Sequence, residues 1–198
     1  DIHAMTASQV FHVPMEEVTA SMRRSSKAVN FGIVYGISGY SLSNDIGVSV
    51  KTATEYINKY LSVYHGVREY MSRIKEQAKE EGFVQTRFGR KRWLPELKSK
   101  NNNIRKLGER MALNTPIQGT AADIIKIAML RVYRRLKEEN MQSRLVLQVH
   151  DELILETPEC EKELAERILK EEMEAACQLQ APLTVDVSSG HDWYAAKG

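Results

Sequence analysis

The sequence predicts an α+β fold: a mostly helical first part to about Gly82, then a part combining an antiparallel sheet with flanking helices. Two observations carry this reading. Apolar residues in the first part recur at helical spacing, as in Val67, Tyr70, Met71, Ile74 and Ala78. Beyond Gly82, short β-prone runs flank turn residues, at 83–86 and 92–94 around Gly89 and again at 145–156 around a polar tip. The chain has 198 residues, 42% hydrophobic and 27% charged, enough to bury a core and too apolar for a disordered chain. No apolar run reaches membrane-spanning length and no signal-peptide pattern opens the sequence, so no membrane partner is expected.

Element by element, the stretch to residue 18 reads as short helices interrupted at Pro14. Thr19 or Ser21 caps the next helix, which runs through Arg23, Lys27 and Phe31 to about Tyr35. Helices follow at 41–46, 50–63 and 67–81, the last stopped by Gly82. After the two short strands, a basic helix at 103–114 ends before Pro116, because a residue preceding proline disfavours helical backbone. The strongest helix covers 121–139, with Thr120 and Asp123 as a capping-box-like start. The hairpin at 145–156 leads to Thr157 as cap and Pro158 as first residue of a helix to about 177. That helix holds Cys160 and Cys177, which match no zinc spacing and read as small thiols of a reducing compartment. A last strand at 183–187 closes the fold.

Net charge is only +2, but its distribution is uneven. Arg87, Arg90, Lys91, Arg92, Lys98, Lys100, Arg105, Lys106 and Arg110 are opposed locally by Glu96 and Glu109 alone, which suits a polyanion. Residues 159–174 are rich in glutamate and suit a solvated helix.

Arg23, Lys27, Phe31 and Tyr35 are spaced by four, so they form one slowly drifting stripe on a helix. Two cations suit a triphosphate and two aromatic faces suit a base or sugar. Spacing alone equally permits a solvated basic end followed by core aromatics. Gly32 and Gly36 each cost about 1 kcal/mol of helix stability relative to alanine, and are easier to explain where something approaches the backbone or the helix moves.

The run from Arg23 to Gly36 (RRSSKAVNFGIVYG) resembles motif B of the family A DNA polymerases, of bacterial polymerase I type, whose signature is RRxxKxxNFGxxYG. Gln148-Val149-His150-Asp151-Glu152 resembles their motif C. The resemblance implies a fingers portion at 1–82 and a C-terminal palm portion at 83–198. It implies that Arg23 and Lys27 hold nucleotide phosphates, with His3 of Asp1-Ile2-His3 nearby. Phe31 is expected to stack near sugar and base, and Tyr35 to occupy the template-base position until the fingers close. Arg110, Asn114 and Gln118, within the stretch at 109–123, are the residues expected at the DNA minor groove, whose shared acceptors such side chains can reach. Gln148 is expected to join them on DNA and His150 to lie beside the primer end.

The implied activity is that of a DNA-directed DNA polymerase, adding deoxynucleotides to a primer 3′ end by metal-assisted phosphoryl transfer. Asp151, Glu152 and Lys27 are the candidate catalytic residues. Two magnesium ions, replaceable by manganese, are the implied cofactors. Adjacent residues of an extended chain point to opposite sides, so Asp151 is the expected direct ligand, with Glu152 a peripheral one. Primer–template DNA and deoxynucleoside triphosphates are the expected partners. The family's DYSxxELR-like strand, which carries the other metal-binding aspartate, is not in this sequence, and Asp1 belongs to a later element. The isolated chain is therefore expected to be inactive or nearly so, needing the upstream palm strand and thumb from the remainder of the polymerase chain. The alternative is a non-catalytic nucleic-acid-binding fragment of a polymerase.

Overall fold

Local chemistry sets the starts and stops of the first helices in the computed structural model, which describes residues 1–197. Helix α1 (Ile2–Phe11) begins where the Asp1 carboxylate accepts from the backbone N–H groups of His3 and Ala4, and ends at His12 in the left-handed region. A 3-10 turn, Met15–Glu17, follows Pro14. Helix α2 (Ala20–Val34) is capped by the Thr19 hydroxyl, which accepts from the Met22 N–H. Ser38 and Ser49 cap α3 (Gly39–Ile46) and α4 (Val50–Val63) in the same way. Helix α5 (His65–Glu81) stops at Gly82, whose φ of 78° is left-handed.

Strands β1 (Phe83–Gln85) and β2 (Lys91–Trp93) pair antiparallel, Val84 opposite Arg92. Next comes α6 (Asn102–Glu138). The second hairpin joins β3 (Arg144–Val149) to β4 (Glu152–Glu156), with an irregularity between Leu145 and Leu147. The chain ends with α7 (Lys162–Glu174) and the short α8 (Trp193–Lys197). The α+β class is as expected, with two small antiparallel sheets flanked by helices. Among the described residues no helix is long and apolar enough to cross a membrane.

The chain divides into two compact units, Asp1–Gly119 and one from Thr120 onward. The first contains two apolar clusters. Val29, Ile33, Leu42 and Ala53 join α2, α3 and α4, and Ala78, Val84, Leu94, Leu97 and Ala112 join α5, β1 and α6. In the second unit Ala128, Val132 and Leu136 of α6 pack with Leu153 of β4 and Ile168 of α7.

Three expectations are corrected. Pro116 does not break the chain into two helices: it lies inside α6, so Thr120 and Asp123 are mid-helix residues and not a cap. A proline there costs roughly 3 kcal/mol. Leu113, Val132 and Leu136 of the same helix are almost fully buried, and each such burial stabilises by roughly 1.5–3 kcal/mol, so packing outweighs propensity. Second, Pro158 is extended and precedes a 3-10 turn, Glu159–Glu161, so α7 starts only at Lys162 and ends at Glu174, leaving Cys160 in the turn and Cys177 beyond the helix. The Glu161 side chain turns away from the helix to accept from the Gln142 and Ser143 N–H groups, both at 2.9 Å, and from the Ser143 hydroxyl at 2.6 Å. Third, residues 183–187 form no strand. Leu183, Val185 and Val187 alternate toward the interior, but the Val185 N–H donates to the Glu174 carboxylate at 3.0 Å instead of to a neighbouring strand.

Gly32 is buried because Ile37 returns against it: an added Cβ would lie 2.6 Å from Ile37 Cγ2. Gly32→Ala should loosen the α2–α3 junction by about 1–3 kcal/mol despite alanine's better helix propensity, read as faster hydrogen exchange of α2 and α3 amides. Unchanged exchange would show that Ile37 moves aside freely.

The Gln142 N–H and then the Ser143 hydroxyl hold the Glu161 carboxyl below its usual range, against an opposing effect of burial. A depressed carboxyl stabilises the folded state above its unfolded pKa and loses that effect as pH falls through the folded value. Protection of the Gln142 and Ser143 amides should therefore decline below about pH 4.5, the ordinary value for Glu161, and Glu161→Gln should remove that acid step.

Candidate functional site

The two faces of α2 differ sharply. Ser26, Val29, Gly32 and Ile33 are buried, whereas Arg23, Lys27, Phe31 and Tyr35 are exposed. Phe31 is 52% exposed and Tyr35 47%, so these aromatics are not core residues. Tyr35 sits just past the helix as its C-cap. The stripe thus presents two cations and two aromatic rings to solvent along one face, a surface suited to a ligand with an anionic end and a flat end.

Helix α1 completes that face. The Asp1 carboxylate splits its two oxygens: Oδ1 caps α1, while Oδ2 accepts from Arg23 Nε at 2.7 Å. Gripped at Nε, the Arg23 guanidinium keeps its outer Nη edge for an anion. His3 lies with its ring centroid 5.7 Å from that of Phe31, and its Nδ1 is 3.0 Å from Asn30 Nδ2. Burial pushes the His3 pKa below its ordinary value, and the positive charges of Arg23 and Lys27 push it the same way.

In the same unit α6 carries Arg110, Asn114 and Gln118. Gly36, left-handed at φ 66°, ends the α2 stripe against α6: a Cβ there would lie 3.2 Å from Arg110 Cγ and 3.3 Å from Leu113 Cδ1. Gln118 lines a cleft of about 310 Å³ with Arg90, Lys91, Arg92, Thr115 and Gly119. Arg90 donates to the Gly119 carbonyl at 3.0 Å and Arg92 to the Thr115 hydroxyl at 3.3 Å, so the basic hairpin is braced on α6. The Asn114 Oδ1 atom is buried without a hydrogen-bond partner in the protein, an arrangement that costs about 1–3 kcal/mol.

The second unit holds the acidic hairpin. His150 and Asp151 form a two-residue turn between β3 and β4, Val149 pairing with Glu152. His150 is left-handed at φ 53°, a conformation costing a non-glycine residue roughly 1–2 kcal/mol. Gln148 Nε2 donates to the His150 carbonyl at 2.6 Å and stiffens the tip. The two carboxylates differ. Asp151 is exposed, whereas Glu152 meets Lys197 Nζ at 3.2 Å. An exposed carboxylate suits one position in the oxygen shell of a magnesium ion. Among the described residues no three His, Cys, Asp or Glu side chains gather into a metal-holding group.

The structure brings His3, Arg23, Lys27 and Phe31 together, places Arg110 and Gln118 exposed on α6, and sets Gln148, His150, Asp151 and Glu152 at one hairpin tip. Sequence reasoning missed the contacts of Asp1, Asn30 and Lys197. Asn30 stands inside the recognised motif, which was a signal. Lys197 reaches Glu152 across 45 residues, and nothing local announces it.

Residues 1–195 match the sequence model of DNA polymerase family A. The chain is 53% identical over 197 residues to DNA polymerase I of Bacillus subtilis and 52% identical over 197 residues to that of Caldicellulosiruptor bescii. Each alignment covers 100% of this chain, but only 22% and 23% of those relatives, so the chain spans less than a quarter of their length. A solved structure of the POL domain of Pol1 from M. smegmatis, in complex with DNA primer-template and dNTP, superposes with a TM-score of 0.92 at 43% identity, over 100% of this chain and 35% of that one.

Proposed function

Since the chain belongs to DNA polymerase family A, we propose that it supplies the fingers (1–82) and the C-terminal palm portion (83–198) of a DNA-directed DNA polymerase. The observation that carries this reading is the exposed stripe of Arg23, Lys27, Phe31 and Tyr35, with His3 beside it. The similar M. smegmatis domain was solved in complex with DNA primer-template and dNTP, and the same ligands suit this surface. Arg23 and Lys27 bind the triphosphate as cations, with His3 as a further contact. Phe31 offers its ring to the sugar and base, and Tyr35 guards the template-base position until the fingers close. Arg110, Asn114, Gln118 and the braced basic hairpin hold the primer–template without reading its sequence. Gln148 and His150 keep the primer end beside Asp151. A cytoplasmic site of action on chromosomal DNA fits these partners.

Divalent magnesium, when bound, lowers the cost of charge developing on the transferred phosphoryl group. Asp151 would hold it directly, and Glu152, engaged by Lys197, would support from the side. The paired aspartate expected from a DYSxxELR-like strand is not among these residues, so the isolated chain should show little or no synthesis.

In the full-length polymerase, Asp151→Ala should abolish primer extension while DNA affinity, read by filter binding or anisotropy, stays within about twofold. Equal extension by mutant and parent would reject the metal role. Lys27→Ala removes a charge-assisted contact to phosphate, so the KM for deoxynucleotides should rise about 10- to 100-fold in steady-state extension. An unchanged KM would remove Lys27 from the triphosphate site.

A further inference from the structure

We propose that Asn30 is a positioning residue that fixes His3 with its proton on Nε2, so that His3 offers the triphosphate a neutral hydrogen-bond donor. The inference rests on the reading that the α2 stripe takes a triphosphate, and it deepens that reading by assigning the protonation of one contact.

The assignment follows from counting protons in a small network. Thr6 is 1% exposed, and its hydroxyl donates its single proton to the Ile2 carbonyl at 2.8 Å. Thr6 Oγ1 can therefore only accept from Asn30, whose side-chain nitrogen lies 3.1 Å away. This identifies the end of the Asn30 amide that faces α1 as its NH2 group. The same nitrogen is 3.0 Å from His3 Nδ1. One amide proton goes to Thr6 and the other to His3, so His3 Nδ1 must be an acceptor. A proton on Nδ1 would set donor against donor. The neutral ring then carries its proton on Nε2, the nitrogen directed away from Asn30.

The surroundings agree. Arg23 and Lys27 face His3 from α2; burial and these two charges disfavour an imidazolium. Two fixed cations already supply charge for an anionic ligand. A third, held close to them, would add repulsion in the free protein, whereas a neutral N–H adds a directional hydrogen bond without it.

The test uses the full-length polymerase labelled with 15N-histidine, the His3 ring signals being identified by difference against His3→Gln. At pH 7 long-range 1H–15N spectra should show His3 with Nε2 protonated and Nδ1 unprotonated. Asn30→Asp, nearly isosteric, replaces the donor with an acceptor and should move the proton to Nδ1 or make the ring doubly protonated. The same variant should raise the KM for deoxynucleotides about tenfold with a smaller change in kcat. Wild-type His3 protonated on Nδ1, or on both nitrogens, at pH 7 overturns the proposal, and this reading does not depend on Asn30→Asp folding. An Asn30→Asp spectrum identical to wild type also overturns it. If the tautomer behaves as stated but neither Asn30→Asp nor His3→Gln alters nucleotide KM, the role toward the triphosphate falls. Loss of the Lys27→Ala effect would instead count against the stripe reading itself.

Discussion

Pro116 has no backbone N–H to donate, yet α6 continues through it from Asn102 to Glu138. That continuity requires packing on both sides of the proline. Before it, Ala112 and Leu113 are buried, and Thr115 turns its hydroxyl onto the Met111 carbonyl at 2.7 Å while accepting from Arg92. After it, Ala128, Val132 and Leu136 supply the helical side of the second core. Within the first unit the early part of α6 furnishes the floor for the basic hairpin, and within the second its later part backs the acidic one. Neither two-stranded sheet would hold its shape unaided, since an isolated hairpin is marginal in water.

The exposed face of α2 obeys a different constraint. Helix α2 spends its apolar residues on one side and leaves Phe31 and Tyr35 in solvent on the other. Exposing two large rings forgoes burial energy that a helix selected for stability alone would recover. The polar side is organised instead by its neighbour α1: Asp1 grips Arg23, and Asn30 reaches across to His3 and Thr6. The site is thus built on two packed helices, and its charged ends are steered before any ligand arrives.

What could be read from the sequence was mostly what is encoded locally. Thr19 as a cap, Gly82 as a stop, and the 50–63 helix follow from side chains acting within one turn, and the structure reproduces them. The failures at Pro116, Pro158 and 183–187 share a cause. Each was decided by a partner distant in sequence: buried faces along α6, the Glu161 carboxylate reaching Gln142 and Ser143, and Glu174 accepting from Val185. The site divides the same way. Arg23, Lys27, Phe31 and Tyr35 could be placed on one face by counting fours. Whether the rings faced core or solvent could not, because that depends on what α1, α3 and α4 cover.

The two-residue turn at His150 and Asp151 has a further consequence. With Val149 paired to Glu152, the loop has no slack, and the pairing runs in unbroken register from the tip back to Leu147 and Ile154. Exchanging one side chain at the tip changes its chemistry and leaves its aim intact. Inserting or deleting a single residue at the tip would shift this pairing by one and turn the paired side chains beside the tip to the opposite face. Over evolutionary time this stretch can drift in composition far more easily than in length. Gap-free alignment through the tip is therefore a sharper sign of a retained site than identity at any one position.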